Sequence, residues 1–297
     1  MKNIAIIPAR GGSKRIPRKN IKPFLGKSII AYSIEAALQT ELFDTVMVST
    51  DDDEIAMIAK QYGATVPFMR SKETANDYAT LADVLLEVIA GYANDGIHPE
   101  NVCCILPTAP FVTSHDIAQA YELLNTGKYN SIFPIVAFSY PILRSMKMDK
   151  DGFIAMNWPQ YFSSRSQDLE TAYHDAGSFH WVKTDALIEQ KSSITTRTGG
   201  IIVDEITAQD IDTEADWKLA EMKFQLLTQM EILTTNNKQQ TTNNKQQTTN
   251  NKQQTTNNKQ QTTNNKQQTT NNKQQTTNNT ITITKTIGEK VMFGMIV

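Results

Sequence analysis

Short apolar runs alternate with stretches of helical spacing through most of the chain. The runs have the length and β-branched content of buried strands, and they cover residues 3–7, 45–49, 102–106 and 131–136. The helical stretches are residues 28–38, 55–62, 81–92 and 117–124, with a further helix at 214–227. Alternating strands and helices predict a three-layer α/β fold, in which a mostly parallel sheet lies between two layers of helices.

The carboxyl ends of the predicted strands are where such sheets collect ligands. A loop at residues 8–20 and the loop that begins at Leu106 both lie at this edge. Residues 140–181 are less regular and rich in aromatic and polar side chains, which indicates a lid or a dimer-forming insertion. The sequence therefore predicts a site built by loops on one edge of the sheet.

The charge distribution limits the possible partners. The whole chain has a formal net charge of −2, but residues 1–233 hold 21 basic and 30 acidic residues. Nucleic-acid binders normally carry a basic footprint, so no nucleic acid is expected. The first apolar run is too short for a signal peptide and no long apolar stretch follows, so we expect a cytoplasmic protein without a membrane partner. Cys103 and Cys104 are expected to be buried thiols.

A tandem repeat makes up the C-terminal region. Residues 234–275 are six copies of TTNNKQQ, which contain no apolar residue for a coiled-coil seam. We therefore predict a domain at 1–233, disorder at 234–279 and an extension of unknown structure at 280–297. The heptapeptide can be encoded by three copies of the seven-base unit AACAACA, which favours an origin in a short DNA repeat over a selected flexible tail.

The loop at residues 8–20, PARGGSKRIPRKN, concentrates basic residues within an acidic body. Glycines allow the backbone to approach a phosphate, and Arg10 and Lys14 can neutralise phosphate oxygens. The loop matches neither the Walker pattern nor the Rossmann GxGxxG pattern. Because it follows the first predicted strand, a polyphosphate site is favoured over a solvated basic turn.

The opening segment IIPARGGSKRIPRKNIKPFLGKSIIAYSIEAAL resembles that of the CMP-sugar synthetases, the cytidylyltransferases for sialic-type acids. Further similar segments are VSTDDDEIAMIAKQYGA at 48–64, VPFMR at 66–70, LPTAPF at 106–111 and IDTEADW at 211–217. The resemblance covers about residues 3–227. It implies a fold of the nucleotide-diphospho-sugar transferase type, a homodimer, and transfer of CMP from CTP to an acidic nine-carbon sugar.

The same resemblance implies roles for individual residues. Catalytic roles fall to Arg10, Lys14 and Lys19, and nucleotide contacts to Arg10, Gly11, Gly12, Ser13, Lys14, Arg18, Lys19, Asn20 and Thr80. Asp210 and Asp212 align with paired metal carboxylates, which implies Mg²⁺ as the cofactor. On an extended segment this spacing places both side chains on one side, and magnesium prefers few carboxylates plus phosphate oxygens. The alternative for these two acids is an ordinary acidic helix N-terminus.

The choice of sugar depends on other segments. Leu106 stands where sialic acid synthetases carry a glutamine, whereas residues 138–144, 165–169 and 173–179 resemble the pseudaminic acid branch. That branch implies sugar contacts from Arg144, Arg165, Gln167, His174 and Asp175, while His180 is expected to pack at a strand. The alternatives are activation of N-acetylneuraminic, legionaminic or Kdo acid, or a nucleotide-binding regulator without catalysis. The sequence identifies no general base.

Overall fold

The computed structural model describes residues 1–293, together with their side chains except at residues 236, 237, 243, 283, 284 and 286–293. Contacts divide the chain into one unit at Met1–Leu227 and a second that starts at Thr228. Among the described helices, none has the length and apolar character that a membrane crossing requires.

The first unit contains all the strands within residues 1–293. They are β1 (Asn3–Pro8), β2 (Pro23–Phe24), β3 (Lys27–Ser28), β4 (Thr45–Ser49), β5 (Asn101–Ile105), β6 (Ser131–Ala137), β7 (Met146–Met148), β8 (Ile154–Met156), β9 (Tyr173–Asp175), β10 (Phe179–Lys183) and β11 (Thr198–Ile202). A seven-stranded sheet has the order β11-β6-β10-β5-β1-β4, and β9 also pairs with β6. The strands β9 and β10 run against the other five. A mixed but mostly parallel sheet confirms the prediction.

Helices cover both faces of the sheet. Those within residues 1–293 are α1 (Ile29–Gln39), α2 (Asp53–Gln61), α3 (Leu81–Asn94), α4 (Ser114–Asn125), α5 (Thr184–Gln190) and α6 (Glu214–Phe293). Because successive strand residues point to opposite faces, Ala5 and Ile7 pack in one core with α1, α2 and α4. Ile4 and Ile6 pack in a second core with α3 and α5. The three predicted layers are therefore present, and Cys103 and Cys104 are buried free thiols between them.

Side-chain caps explain where two of these helices begin. The Asp52 carboxylate accepts a hydrogen bond from the Ile55 N–H at 3.0 Å and starts α2 directly after β4. Thr80 and Asp83 form a reciprocal capping box at the start of α3. The predicted cap of α1, Ser28, occupies the cap position but makes no side-chain hydrogen bond there.

A third apolar cluster fixes the basic loop against the segment that precedes α6. Ile16 of the loop is buried with Phe24, Ile211 and Trp217. The rings of Phe24 and Trp217 meet edge to face, with centroids 5.6 Å apart. This cluster brings residues 8–20 and 210–212 together, although they are far apart in the sequence.

The region at residues 140–181 has more structure than its sequence indicated. It contains the β7–β8 hairpin, the short strand β9 and three 3-10 turns. These elements are only three residues long, so no periodicity can develop. The elements β10, α5 and β11 were likewise not predicted.

Residues 234–279, for which the sequence predicts disorder, belong to α6 in the structure. The described side chains of the repeat are all exposed. Threonine hydroxyls donate to carbonyls one turn earlier, as from Thr248 to Asn244 at 2.9 Å. Glycine and proline do not occur in residues 214–287, but threonine and asparagine, four of the seven residues in each copy, are weak helix formers.

We expect a chain that ends at Leu233 to keep the fold and activity of the first unit. The removed side chains that are described bury nothing, so the unfolding midpoint should move less than the roughly 2–4 °C that 1 kcal/mol causes in a domain of this size. Calorimetry and turnover, each measured beside the full chain, test this. An unfolded or inactive truncated chain would contradict the boundary.

Candidate functional site

A cavity of about 420 Å³ opens at the carboxyl ends of β1 and β5. Its walls are the basic loop, the residues that follow β5, and one acid from the segment before α6. The lining residues are Pro8, Arg10, Ser13, Lys14, Arg15, Ile16, Lys19, Asn20, Leu106, Pro107, Thr108 and Asp210. The predicted site residues among them are Arg10, Ser13, Lys14, Lys19, Asn20 and Asp210. The sheet topology thus assembles most of the predicted nucleotide site in one place.

Two bases of the cavity wall share one carboxylate. Arg10 Nη1 lies 2.8 Å from Asp77 Oδ1, and Lys14 Nζ contacts the other oxygen of Asp77. The hydrogen bond from Lys14, followed by that from Arg10, holds the pKa of Asp77 below its ordinary value. Both bases are therefore aimed at a single anionic group at the mouth of the cavity.

Two further bases approach the acidic segment. Lys19 Nζ donates to the Ile211 carbonyl at 2.7 Å and lies 3.6 Å from Asp212 Oδ1. Arg15 Nη2 lies 2.6 Å from the same Asp212 oxygen. Sequence reasoning gave Arg15 no role, because nothing in the local pattern separates it from its basic neighbours.

The pair Asp210 and Asp212 has the donor chemistry of a divalent cation site. Burial, and then the negative charge of Asp212, raise the pKa of Asp210. Among the described side chains, no three acidic, histidine or cysteine groups cluster as a metal site. Two hard carboxylates close to the basic loop fit an ion that takes its other ligands from phosphate oxygens and water.

Arg18, predicted to contact the nucleotide, forms ion pairs with two acids of the protein. Its guanidinium binds both oxygens of Asp52 at 2.5 and 2.9 Å, and Glu54 at 2.5 Å. These bonds raise the pKa of Arg18, and they lower that of Asp52 to about 2. Arg18 is absent from the cavity wall because it joins the loop to the N-terminus of α2.

The two glycines of the loop have different surroundings. A Cβ atom on Gly11 would lie 2.7 Å from Asp52 Oδ2, and the Gly11 N–H donates to Asp51 at 2.9 Å. Around a Cβ atom on Gly12, no atom lies within 4 Å among the described residues. Gly11 therefore allows the loop to pack on the β4–α2 connection. Of the two glycines, only Gly12 leaves the space for a phosphate to approach the backbone that the sequence predicted at both positions.

Asn20 and Thr80 also act on the protein itself. The buried Asn20 amide donates to the Arg10 carbonyl at 2.9 Å, which braces the loop from within the cavity wall. Thr80 Oγ1 bonds to Asp83 at 2.8 Å in the capping box and does not line the cavity. The structure thus gives Thr80 a helix-capping role, and its nucleotide contact stays a prediction.

Three of the predicted sugar-binding residues lie away from this cavity. Arg144 Nη1 lies 3.3 Å from Ser166 Oγ, and both line a second cavity of about 420 Å³ beside Phe138. Arg165 is paired with Asp168 at 2.7 Å, and Gln167 is exposed in the turn between them. Arg144, Arg165 and Gln167 therefore do not line the cavity that the basic loop forms.

The other two predicted sugar residues lie on β9. His174 Nδ1 is 2.9 Å from the Asp175 carbonyl oxygen, and Asp175 Oδ2 is 3.0 Å from Nε2 of the buried His180. Burial opposes ionisation of Asp175, but the bonds from His180 and from the Gly177 N–H outweigh it and lower the pKa of Asp175. A Cβ atom on Gly177 would lie 3.9 Å from Asp210, so this turn reaches the cavity wall. The sequence predicted only a packing role for His180, but in the structure its ring binds the carboxylate of Asp175, an anionic hydrogen-bond acceptor.

A mostly parallel α/β sheet, a basic loop after its first strand and facing carboxylates define the class of this protein: it is an α/β nucleotidyltransferase. A family model described as cytidylyltransferase matches residues 4–189. The chain belongs to the cytidylyltransferase family, as its sequence motifs predicted.

Individual relatives agree with this assignment. The chain is 41% identical over 218 residues to the pseudaminic acid cytidylyltransferase of Campylobacter jejuni, covering 71% of this chain and 94% of that protein. It is 33% identical over 234 residues to the CMP-N,N'-diacetyllegionaminic acid synthase of Legionella pneumophila, covering 76% and 97%. A solved structure of CMP:2-keto-3-deoxy-manno-octonic acid synthetase with CTP has a TM-score of 0.55 at 19% identity, covering 77% of this chain and 100% of that one. That structure supports the fold alone.

Proposed function

We propose that this enzyme transfers CMP from CTP to pseudaminic acid and releases pyrophosphate. The observation that carries the proposal is the cavity in which Arg10, Lys14 and Lys19 share a wall with Asp210. Three bases and one acid of a metal pair are the groups that a nucleoside triphosphate with its cation requires. The similarity to the Campylobacter jejuni protein supports the choice of sugar.

The bases have distinct parts in this proposal. Arg10 and Lys14 hold the β and γ phosphates, because both are directed at one anionic position beside the cavity. Lys19 lies close to Asp212 and stabilises charge nearer to the reacting phosphorus. Asn20 is a positioning residue, since it acts on the loop backbone.

In the reaction, the anomeric hydroxyl of the sugar attacks the α-phosphorus, and the bond to the bridging oxygen of pyrophosphate breaks. Asp210 and Asp212 would hold the magnesium ion, which neutralises charge on the phosphate oxygens when it is bound. The loop bases stabilise the same charge as pyrophosphate leaves. This assignment needs orientation and electrostatics from the protein and no covalent intermediate.

The sugar is assigned to the side of the cavity formed by Leu106 and the turn after β9. Hydrogen bonds from His180 and Gly177 keep Asp175 an ionised acceptor, suited to the N–H groups of a diamino sugar. The Leu106 N–H donates to the Ser178 carbonyl at 2.8 Å, so the turn and the loop after β5 are joined. Because Arg144, Arg165 and Gln167 do not line this cavity, they would have to reach the sugar from outside it.

Exposed apolar side chains on the β7–β8 region support a homodimer. Met146, Met148, Phe153, Ile154 and Phe162 are each more than 60% exposed. An apolar patch of this kind indicates a protein contact, and a second copy would bring its own Arg144 region to the interface. In this proposal the dimer acts in the cytoplasm, where CTP is available, and supplies sugar for surface glycans or flagellin.

Pyrophosphate release tests the proposed function. With CTP and Mg²⁺, kcat/KM for pseudaminic acid should exceed that for N-acetylneuraminic acid by at least about tenfold, a barrier difference of about 1.4 kcal/mol. ATP, GTP and UTP in place of CTP are the nucleotide controls. Equal rates on the two sugars would contradict the choice of sugar, a preference for legionaminic or Kdo acid would reassign it, and no release with any sugar would contradict catalysis.

A further inference from the structure

One carboxylate contacts both bases that the proposed function assigns to the triphosphate. Asp77 Oδ1 lies 2.8 Å from Arg10 Nη1, which also donates to the Asn76 carbonyl at 2.9 Å. Lys14 contacts the second oxygen of Asp77. One carboxylate that bridges an arginine and a lysine reproduces the contacts of a phosphate group.

The loop that carries Asp77 is anchored at both ends. The guanidinium of the buried Arg70 donates to the Ser49 carbonyl at 2.6 Å, and the Ser71 N–H donates to Glu87 at 2.8 Å. At the other end, Thr80 is held by the capping box of α3. These bonds tie the two ends of the loop to β4 and to α3.

The tip of this loop is built to present its carboxylate. Asn76 Oδ1 accepts hydrogen bonds from the Tyr78 N–H at 2.7 Å and the Ala79 N–H at 3.0 Å. This asparagine-centred turn leaves the side chain of Asp77 directed at Arg10 and Lys14. The placement of Asp77 therefore follows from the turn and its anchors as well as from charge attraction.

The ion pairs of Asp77 with Arg10 and Lys14 are exposed to solvent. The side chains are 37% exposed for Asp77, 34% for Arg10 and 77% for Lys14. Exposed ion pairs contribute little net stability, because water and ions compete for both partners. A triphosphate carries several negative charges and can therefore replace this single carboxylate without unfolding the loop.

We propose that Asp77 is a substrate-exchange residue. Its carboxylate occupies a phosphate position, is displaced from it when CTP or pyrophosphate binds, and returns when the ligand leaves. Before CTP binds, Asp77 pairs with Arg10 and Lys14 and so prevents other anions from binding to them. It pairs with the two bases again as pyrophosphate leaves. It thereby lowers the affinity of the site for both ligands. This inference rests on the proposed function, because it assumes that these bases hold the triphosphate.

Calorimetric titration of the full chain with CTP, pyrophosphate and CMP tests the exchange. The variants Asp77→Asn and Asp77→Ala should bind CTP and pyrophosphate about three- to tenfold more tightly than the wild type. CMP, which lacks the β and γ phosphates, should change less than about twofold. Asp95→Asn is the matched control, since it removes the same charge at the opposite end of the 14-residue helix α3, about 20 Å away.

The outcomes separate the two proposals. Unchanged or weaker binding of CTP and pyrophosphate in both folded Asp77 variants would overturn the exchange and leave the proposed function standing. An equal gain in Asp95→Asn would overturn it too, because the effect would then come from net charge alone. A wild-type enzyme that binds neither ligand would overturn the proposed function together with this inference. Two Asp77 variants are used so that the test remains possible if one of them does not fold, and thermal unfolding checks the fold of each.

Discussion

Replacing Arg10 or Lys14 by alanine is expected to lower kcat/KM for CTP by about 100-fold or more, with the fold unchanged. Each change removes a positive charge that lines the cavity and points at the proposed position of the β and γ phosphates. Both side chains are partly exposed and make ion pairs with Asp77, so their loss costs little stability. Steady-state pyrophosphate release, with unfolding midpoints measured in parallel, provides the test.

Lys27→Ala is the matched control for these variants. Lys27 is also a lysine paired with one carboxylate, Glu35, but it lies over the Tyr32 ring and outside the cavity wall. Its substitution should leave kcat/KM within about twofold of the wild type, because a surface ion pair away from the site does not act on the reaction. Activity within the same range in both Arg10→Ala and Lys14→Ala would contradict the triphosphate assignment.

Replacing Asp210 by asparagine is expected to raise the magnesium concentration for half-maximal activity by at least about tenfold and to lower turnover. The change keeps the shape of the side chain but removes the charge that a divalent cation needs. Asp212→Asn should have a smaller effect, because Asp212 is already engaged by Arg15 at 2.6 Å and must release it to bind an ion. Magnesium titrations of turnover measure both effects.

Asp95→Asn again serves as the control for the metal prediction, since it changes the same group far from the cavity. Its magnesium titration should superimpose on that of the wild type. If the magnesium titrations of Asp210→Asn and Asp212→Asn also superimposed on that of the wild type, the metal role would be contradicted. The two acids would then be ordinary acidic residues at the N-terminus of α6. A larger effect for Asp212→Asn would reverse their proposed order of importance.

The core of the fold and the general location of the site could be predicted from local signals. Strand periodicity, helix caps such as Asp52 and the position of the basic loop all depend on neighbouring residues, so a single chain displays them. Several short elements between residues 140 and 203 escaped prediction, since β9 acquires its conformation by pairing with the distant strand β6, and the three-residue 3-10 turns are too short to show a periodicity. The disorder expected at 234–279 rests on the lack of apolar surface in the repeat and stays a prediction, beside the helical conformation of α6.

The sequence by itself determined that a basic loop follows the first strand of an α/β sheet and that two acids precede a C-terminal helix. It did not determine which bases line the cavity. Lys14 and Arg18 lie four residues apart with the same charge, yet Lys14 lines the cavity and Arg18 is bound to Asp52 and Glu54. Only tertiary structure decides this, because the acids that neutralise each base come from segments more than 30 residues away along the chain.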